Sequence, residues 1–101
     1  MKLLTGKEIK RSVRELDGWM IRGKVIRRNI EFADFAQAMG FVGSVALYAE
    51  RAQHHPDITI RWNKISLSLS THSAGGITKK DISLAREINT LIEECTGRHK
   101  P

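Results

Sequence analysis

Apolar residues recur along the chain with two different periods, and the switches between them lay out the elements. Thr5-Gly6-Lys7-Glu8 forms a capping box, in which hydroxyl and carboxylate satisfy the amides of a helix start. Ile9, Val13 and Leu16 then recur at helical spacing until Asp17-Gly18 stops the run. Asp34 precedes a second helical stripe, Phe35, Met39, Val42, Ala46 and Ala49, running to about Arg51. Thr78-Lys79-Lys80-Asp81 opens a third helix, with Ile82, Ala85, Ile88 and Ile92 on one face and Gly97 at its end. Between the helices the period shortens to two. Arg22-Gly23 is a turn candidate between Trp19-Met20-Ile21 and the run from Lys24 to Phe32. Further on, Ile58, Ile60 and Trp62 alternate with polar residues, as do Ile65, Leu67 and Leu69 with Ser66, Ser68 and Ser70. A two-residue Asn63-Lys64 loop pairs Trp62 with Ile65, Ile60 with Leu67, and Ile58 with Leu69. That register puts all six apolar side chains on one face, and a one-residue slip would scatter them.

Helix, hairpin, helix, hairpin, helix predicts an α+β fold in two layers. A four-stranded antiparallel sheet is covered on one face by three helices, in the order α-β-β-α-β-β-α. With 101 residues the chain forms one domain, 1–101, whose ends at 1–4 and 96–101 are expected to fray. The second hairpin shows a Ser-rich outer face and the sheet has open edges. Edge-to-edge pairing into a homodimer or homotetramer would cover them.

Charge changes this picture little. The net charge of +6 and a pI of about 9.9 raise the question of nucleic-acid binding. The cations are dispersed, however: Arg22, Lys24, Arg27 and Arg28 flank a turn, Lys79-Lys80 open a helix, and Arg98-His99-Lys100 fall in the tail. No basic stripe interleaved with aromatics is present, so no direct nucleic-acid partner is expected, whereas attraction of an anionic ligand is compatible. No apolar run approaches the ~20 residues of a membrane span, and no secretory apolar stretch follows Met1. The single Cys95 excludes an internal disulfide and fits a reducing compartment, so a cytoplasmic protein is expected.

The chemistry concentrates in one stretch. Three of the four histidines, His54, His55 and His72, fall within nineteen positions. Imidazole gives and takes protons near neutrality. Extending the hairpin register sets His55 opposite His72, and Pro56 loosens the ladder before that point. The histidines therefore gather at the open end of the hairpin, near Glu50 at the end of the second helix and Gly75-Gly76 before the third. Three histidines plus water is a known zinc arrangement. Adjacent His54-His55 cannot aim at one ion without contortion, and Cys95 lies far down the last helix, where it suits packing. No metal is expected. Ser68 and Ser70 are explained by alternation and follow no nucleophile motif.

These residues carry a resemblance. Glu50, three residues, His54-His55-Pro56, five residues, Trp62, nine residues, His72, eight residues, Asp81 is similar to the signature of pterin-4a-carbinolamine dehydratases. The likeness extends from about Leu4 to Glu94, through Leu16-Asp17-Gly18-Trp19, Phe32-Ala33-Asp34-Phe35, and Ser70-Thr71-His72 leading into Gly75-Gly76-Ile77-Thr78.

The resemblance implies a hydro-lyase that dehydrates 4a-hydroxytetrahydropterin to quinonoid dihydropterin in tetrahydrobiopterin recycling. The pterin is the substrate and no cofactor is required. It implies a homodimer or homotetramer working downstream of an aromatic amino acid hydroxylase. Hydroxide leaves C4a while a proton leaves N5, which asks for an acid and a base. His54 and His72 are the first choices for that pair, with His55 orienting the hydroxyl or the pterin. Glu50 either orients a histidine, binds the pterin or is a solvated helix-end carboxylate. Asp81 either caps the last helix or serves the site. Trp62 either packs in the core or stacks on the pterin, with packing favoured. Thr71 and Ser73 flank His72, within reach of the pterin edge. The family implies two alternatives to catalysis: a binding or dimerisation cofactor using helical surface, and a role in molybdopterin metabolism.

Overall fold

The computed structural model describes residues 2–97, so the fraying expected at Met1 and at 98–101 lies outside the described residues. The elements are α1 (Gly6–Arg14), β1 (Trp19–Arg22), β2 (Val25–Glu31), α2 (Phe35–Ala52), β3 (Asp57–Arg61), β4 (Lys64–Leu69), a 3₁₀ turn at His72–Ala74, and α3 (Lys79–Thr96). This is the α-β-β-α-β-β-α order read from the pattern. The four strands form one antiparallel sheet in the order β1-β2-β4-β3, so the hairpins meet through β2 and β4.

The helix starts follow their local chemistry. Thr5 Oγ1 accepts from Glu8 N at 3.1 Å while Glu8 Oε1 accepts from Thr5 N at 2.8 Å, the reciprocal box read from the sequence. Asp34 caps α2 by accepting from Gln37 N at 2.8 Å. The helix faces are read less evenly. In α3, Ile82, Ala85, Ile88 and Ile92 are all buried, as expected. In α2 the buried line is Ala38, Phe41, Val45 and Ala49, while Phe35 is exposed and Ala46 also faces outward. This helix is apolar nearly all round, so its periodicity does not single out one stripe. Sheet residues Ile26, Ile65, Leu67 and Leu69 meet Phe41, Val45 and Ile88 in a fully buried core. Each such side chain stabilises the fold by roughly 1.5–3 kcal/mol.

Both turns differ from the expected position. Arg22 pairs with Val25, so Gly23-Lys24 forms the first loop, one residue later than expected. Gly23 takes φ +60, the positive angle a primed hairpin turn needs at its first central residue. In the second hairpin Arg61 pairs with Lys64, Ile60 with Ile65 and Ile58 with Leu67. The loop is Trp62-Asn63 rather than Asn63-Lys64, and the register is displaced by two. Such a slip keeps every side chain on its face, so alternation cannot detect it. A contact with the other hairpin decides it. Asn63 is buried, its Nδ2 donating to Phe32 O and its carbonyl accepting from Phe32 N, both at 2.8 Å. Trp62 is consequently expelled into the turn at φ +59 and is 71% exposed; it is not a core residue. Ile60 is also partly exposed, so the core thins toward the β3 edge. Among the described residues no helix is long and apolar enough to cross a membrane.

Candidate active site

The end of α2 sets the first two histidines in opposite environments. Gln53 adopts a left-handed conformation at φ 53, steadied by its Nε2 donating to Glu50 O at 2.8 Å. The reversed chain lets His54 N donate back to Ala49 O at 3.1 Å, closing the helix end. His54 turns inward and is buried; His55 turns outward.

His54 Nε2 lies 2.5 Å from Asp81 Oδ1, and Asp81 is wholly buried. Asp81 Oδ2 accepts from Thr71 Oγ1 and from Thr78 N, each at 2.9 Å. Thr71 spends its one hydroxyl proton on Asp81. Thr78 Oγ1, at 2.7 Å, must therefore donate to Thr71, while it accepts from Lys80 N at 3.2 Å. With both carboxylate oxygens accepting, His54 Nε2 is the donor, which leaves Nδ1 as the accepting nitrogen of the neutral ring. Asp81 thus caps α3 through one oxygen and contacts His54 through the other, so the capping role read from the sequence is seen.

His55 Nε2 also meets a carboxylate at 2.5 Å, Glu50 Oε2, but both side chains are mostly in solvent. Of the three possibilities for Glu50, two are seen together: it is a solvated carboxylate in the last turn of α2 and it contacts a histidine. His72 stands on the 3₁₀ turn, not in the ladder, because β4 ends at Leu69 and β3 begins only at Asp57. The expected pairing of His55 opposite His72 is therefore absent. The loop bearing His72 is instead closed by Thr71 N donating to Gly76 O at 2.7 Å, with Gly75 at φ +79 making the reversal. Among the described residues the His72 ring has no partner.

All three histidines nevertheless line one cleft of about 280 Å³ with Gln53, Ser70, Thr71, Ser73 and Lys80. Ser73 offers its hydroxyl there, whereas the Thr71 hydroxyl is engaged with Asp81 and Thr78. A larger hollow of about 660 Å³ on the open face of the sheet, between Arg27, Thr59, Arg61 and Lys64, has no imidazole. Proton-transfer groups therefore single out the smaller cleft. Among the described residues no three His, Cys, Asp or Glu side chains group to hold a metal ion. Burial, with the Glu94 charge beside it, pushes the Cys95 thiol up, which suits packing rather than reactivity.

The family model described as pterin 4 alpha carbinolamine dehydratase matches residues 2–91 of this chain. The chain belongs to that family. A Roseiflexus castenholzii protein, named provisionally as a pterin-4-alpha-carbinolamine dehydratase, is 49% identical over 90 residues, covering 89% of this chain and 97% of its own. A Sulfurisphaera tokodaii protein with the same provisional name is 42% identical over 92 residues, 91% of this chain and 99% of that one. The crystal structure of a transcriptional coactivator/pterin dehydratase from Brucella melitensis superposes with a TM-score of 0.85 at 40% identity, over 89% of this chain and 98% of that one. A pterin dehydratase-like protein identified as a RuBisCO assembly factor in the alpha-carboxysome shares the fold, with a TM-score of 0.63 at 21% identity over 73% of this chain and 88% of that one.

Within this pterin dehydratase framework, the residues that sequence reasoning left out of the site are Gln53, Ser70, Thr78 and Lys80. Thr78 was legible only as a helix cap, and the link from its hydroxyl through Thr71 to Asp81 is a tertiary contact. Gln53 carries no signal, since its left-handed angle would ordinarily be given to glycine or asparagine.

Proposed function

We propose that this chain dehydrates 4a-hydroxytetrahydropterin to quinonoid dihydropterin, using its histidines as acid and base without a metal or cofactor. The observation that carries the proposal is the buried His54–Asp81 pair, locked by Thr71 and Thr78, opening on a cleft shared with His55 and His72. In the elimination the C4a–O bond breaks, the N5–H bond gives up its proton, and a C4a–N5 double bond forms as water leaves. His54 suits the base, because Asp81 holds its Nε2–H and leaves Nδ1 to accept the N5 proton. His72, on the facing loop with an unengaged ring, suits the acid that protonates the leaving hydroxyl. His55, braced by Glu50, orients the hydroxyl or the pterin, with Ser73 at the pterin edge. Family membership and the names of its relatives support the pterin chemistry.

We place this reaction in tetrahydrobiopterin recycling after an aromatic amino acid hydroxylase, in the cytoplasm, by a homo-oligomer. The exposed side of α2 supports self-association. It presents Phe35, Ala36, Gly40, Gly43, Ala46 and Leu47, with Leu47 71% exposed, and β3 leaves an open edge beside Trp62. The same face supports a second reading, a protein-binding role like the coactivator half of the Brucella melitensis protein's name.

The test is the rate of 4a-hydroxypterin breakdown, followed by ultraviolet absorbance in a coupled hydroxylase assay. Acceleration above the spontaneous rate, falling by about 10²–10⁴-fold in His54→Ala and in His72→Ala, is expected. A folded protein that gives no acceleration would leave the binding role standing alone.

A further inference from the structure

Of the eight residues that line the histidine cleft, Lys80 is the one with a permanent charge. The dehydration proposed above gives both proton transfers to imidazoles and so does not call on an ammonium. Lys80 has no structural task either. Among the described residues its side chain makes no hydrogen bond or ion pair; only its backbone N–H is engaged, with Thr78 Oγ1. The nearest acid in sequence, Asp81, has Oδ1 on His54 and Oδ2 on Thr71 and Thr78, so neither oxygen is left for the ammonium. Glu50 is likewise engaged with His55. Lys80 also stands in the first turn of α3, where the helix dipole disfavours a cation. A lysine that breaks a local rule with no compensating contact points to a task outside the fold. Beside it in the cleft, the hydroxyls of Ser70 and Ser73 also lack partners among the described residues.

We infer that Lys80 makes this site select pterins whose substituent carries an oxyanion, a carboxylate or a phosphate, with Ser70 and Ser73 completing its hydrogen bonds. This rests on the pterin reading above and names the class of pterin within it. The chain's net charge of +6 acts in the same direction, drawing anions toward the cleft from a distance.

Two stable, fluorescent pterins separate the claims: 6-carboxypterin, which carries the oxyanion, and 6-hydroxymethylpterin, which is neutral. Each is titrated into the full chain and into Lys80→Gln, Lys80→Glu and Lys80→Arg. The wild type is expected to bind the carboxylate up to about fivefold more tightly than the alcohol, the scale of a solvent-exposed charge pair. Lys80→Gln abolishes that preference, Lys80→Glu reverses it and Lys80→Arg keeps it. The preference also shrinks as salt is raised. An unchanged ratio in Lys80→Gln and Lys80→Glu, with both pterins still bound, overturns the inference and leaves the dehydratase proposal intact. If a folded wild type binds neither pterin, the pterin reading fails and this inference falls with it.

Discussion

Two helices in this molecule begin with the same device, and the two copies have different fates. Thr5 and Glu8 cap α1 in solvent, where the pair serves only its own helix. Thr78 and Asp81 cap α3 in the interior, and there the capping carboxylate acquires a second partner, His54, on its other oxygen. The chemistry of the motif is the same; burial is what differs. A buried carboxylate is costly unless its oxygens are hydrogen-bonded, so the fold must bring donors to it, and one of those donors is an imidazole facing a cleft. A structural cap has in this way become the orienting group of a proposed catalytic base. The surface cap is open to water and has no such requirement.

Breaking the buried cap should cost most. Asp81→Ala leaves Thr78 N, Thr71 Oγ1 and His54 Nε2 without their acceptor, and denaturant unfolding is expected to show a loss of about 3–5 kcal/mol. Asp81→Asn separates the two duties. Its amide oxygen can still cap α3, but no second accepting oxygen remains for His54. Pterin turnover is therefore expected to fall by at least about a hundredfold while most of the stability survives. Next in size is Thr71→Val, which removes the donor to Asp81 Oδ2 and the acceptor for Thr78. A loss of about 1–3 kcal/mol is expected in the same unfolding measurement. Thr5→Ala, at the exposed cap, should cost only about 1 kcal/mol and leave turnover unchanged.

The smallest effect concerns pH. Hydrogen bonds from the Thr5 backbone and side chain hold the Glu8 carboxyl below its usual range, with the nearby Lys2 and Lys79 charges adding to the shift. A depressed folded value means that the contribution is present above the unfolded value of 4.5 and lost as pH falls through the lower folded one. Glu8→Gln should therefore lower stability by a constant amount near neutrality and flatten the acid limb of the stability curve below about pH 4.5, where the two proteins converge. An acid limb as steep as that of the wild type would show that this cap titrates no differently from solvent.

These two caps also mark what a reader of the chain could see. Both were legible as Thr-x-x-acid, as were the face of α3, the sheet-and-helix order and the clustering of the histidines. That one cap lies inside was not legible, because depth is a property of the packed whole. The same limit explains Trp62. Alternation fixes which face a residue takes but is blind to a slip of two, and the register was decided by Phe32 gripping Asn63 from the other hairpin. In α2, small apolar residues surround the axis, so no stripe stands out until the neighbours choose one. Lys80 was legible only as part of the third helix's opening, because its neighbours in sequence say nothing of the cleft its side chain lines.

The segment ahead of α1 has a part in this arrangement. Leu4 N donates to Ile77 O at 2.9 Å, and a Cβ placed on Gly76 would come within 3.1 Å of Leu3. Residues at the front of the chain therefore clamp the base of the loop that carries His72. Cutting the chain back past Leu4 would remove both contacts and loosen the His72 loop from behind, without any cleft residue being altered.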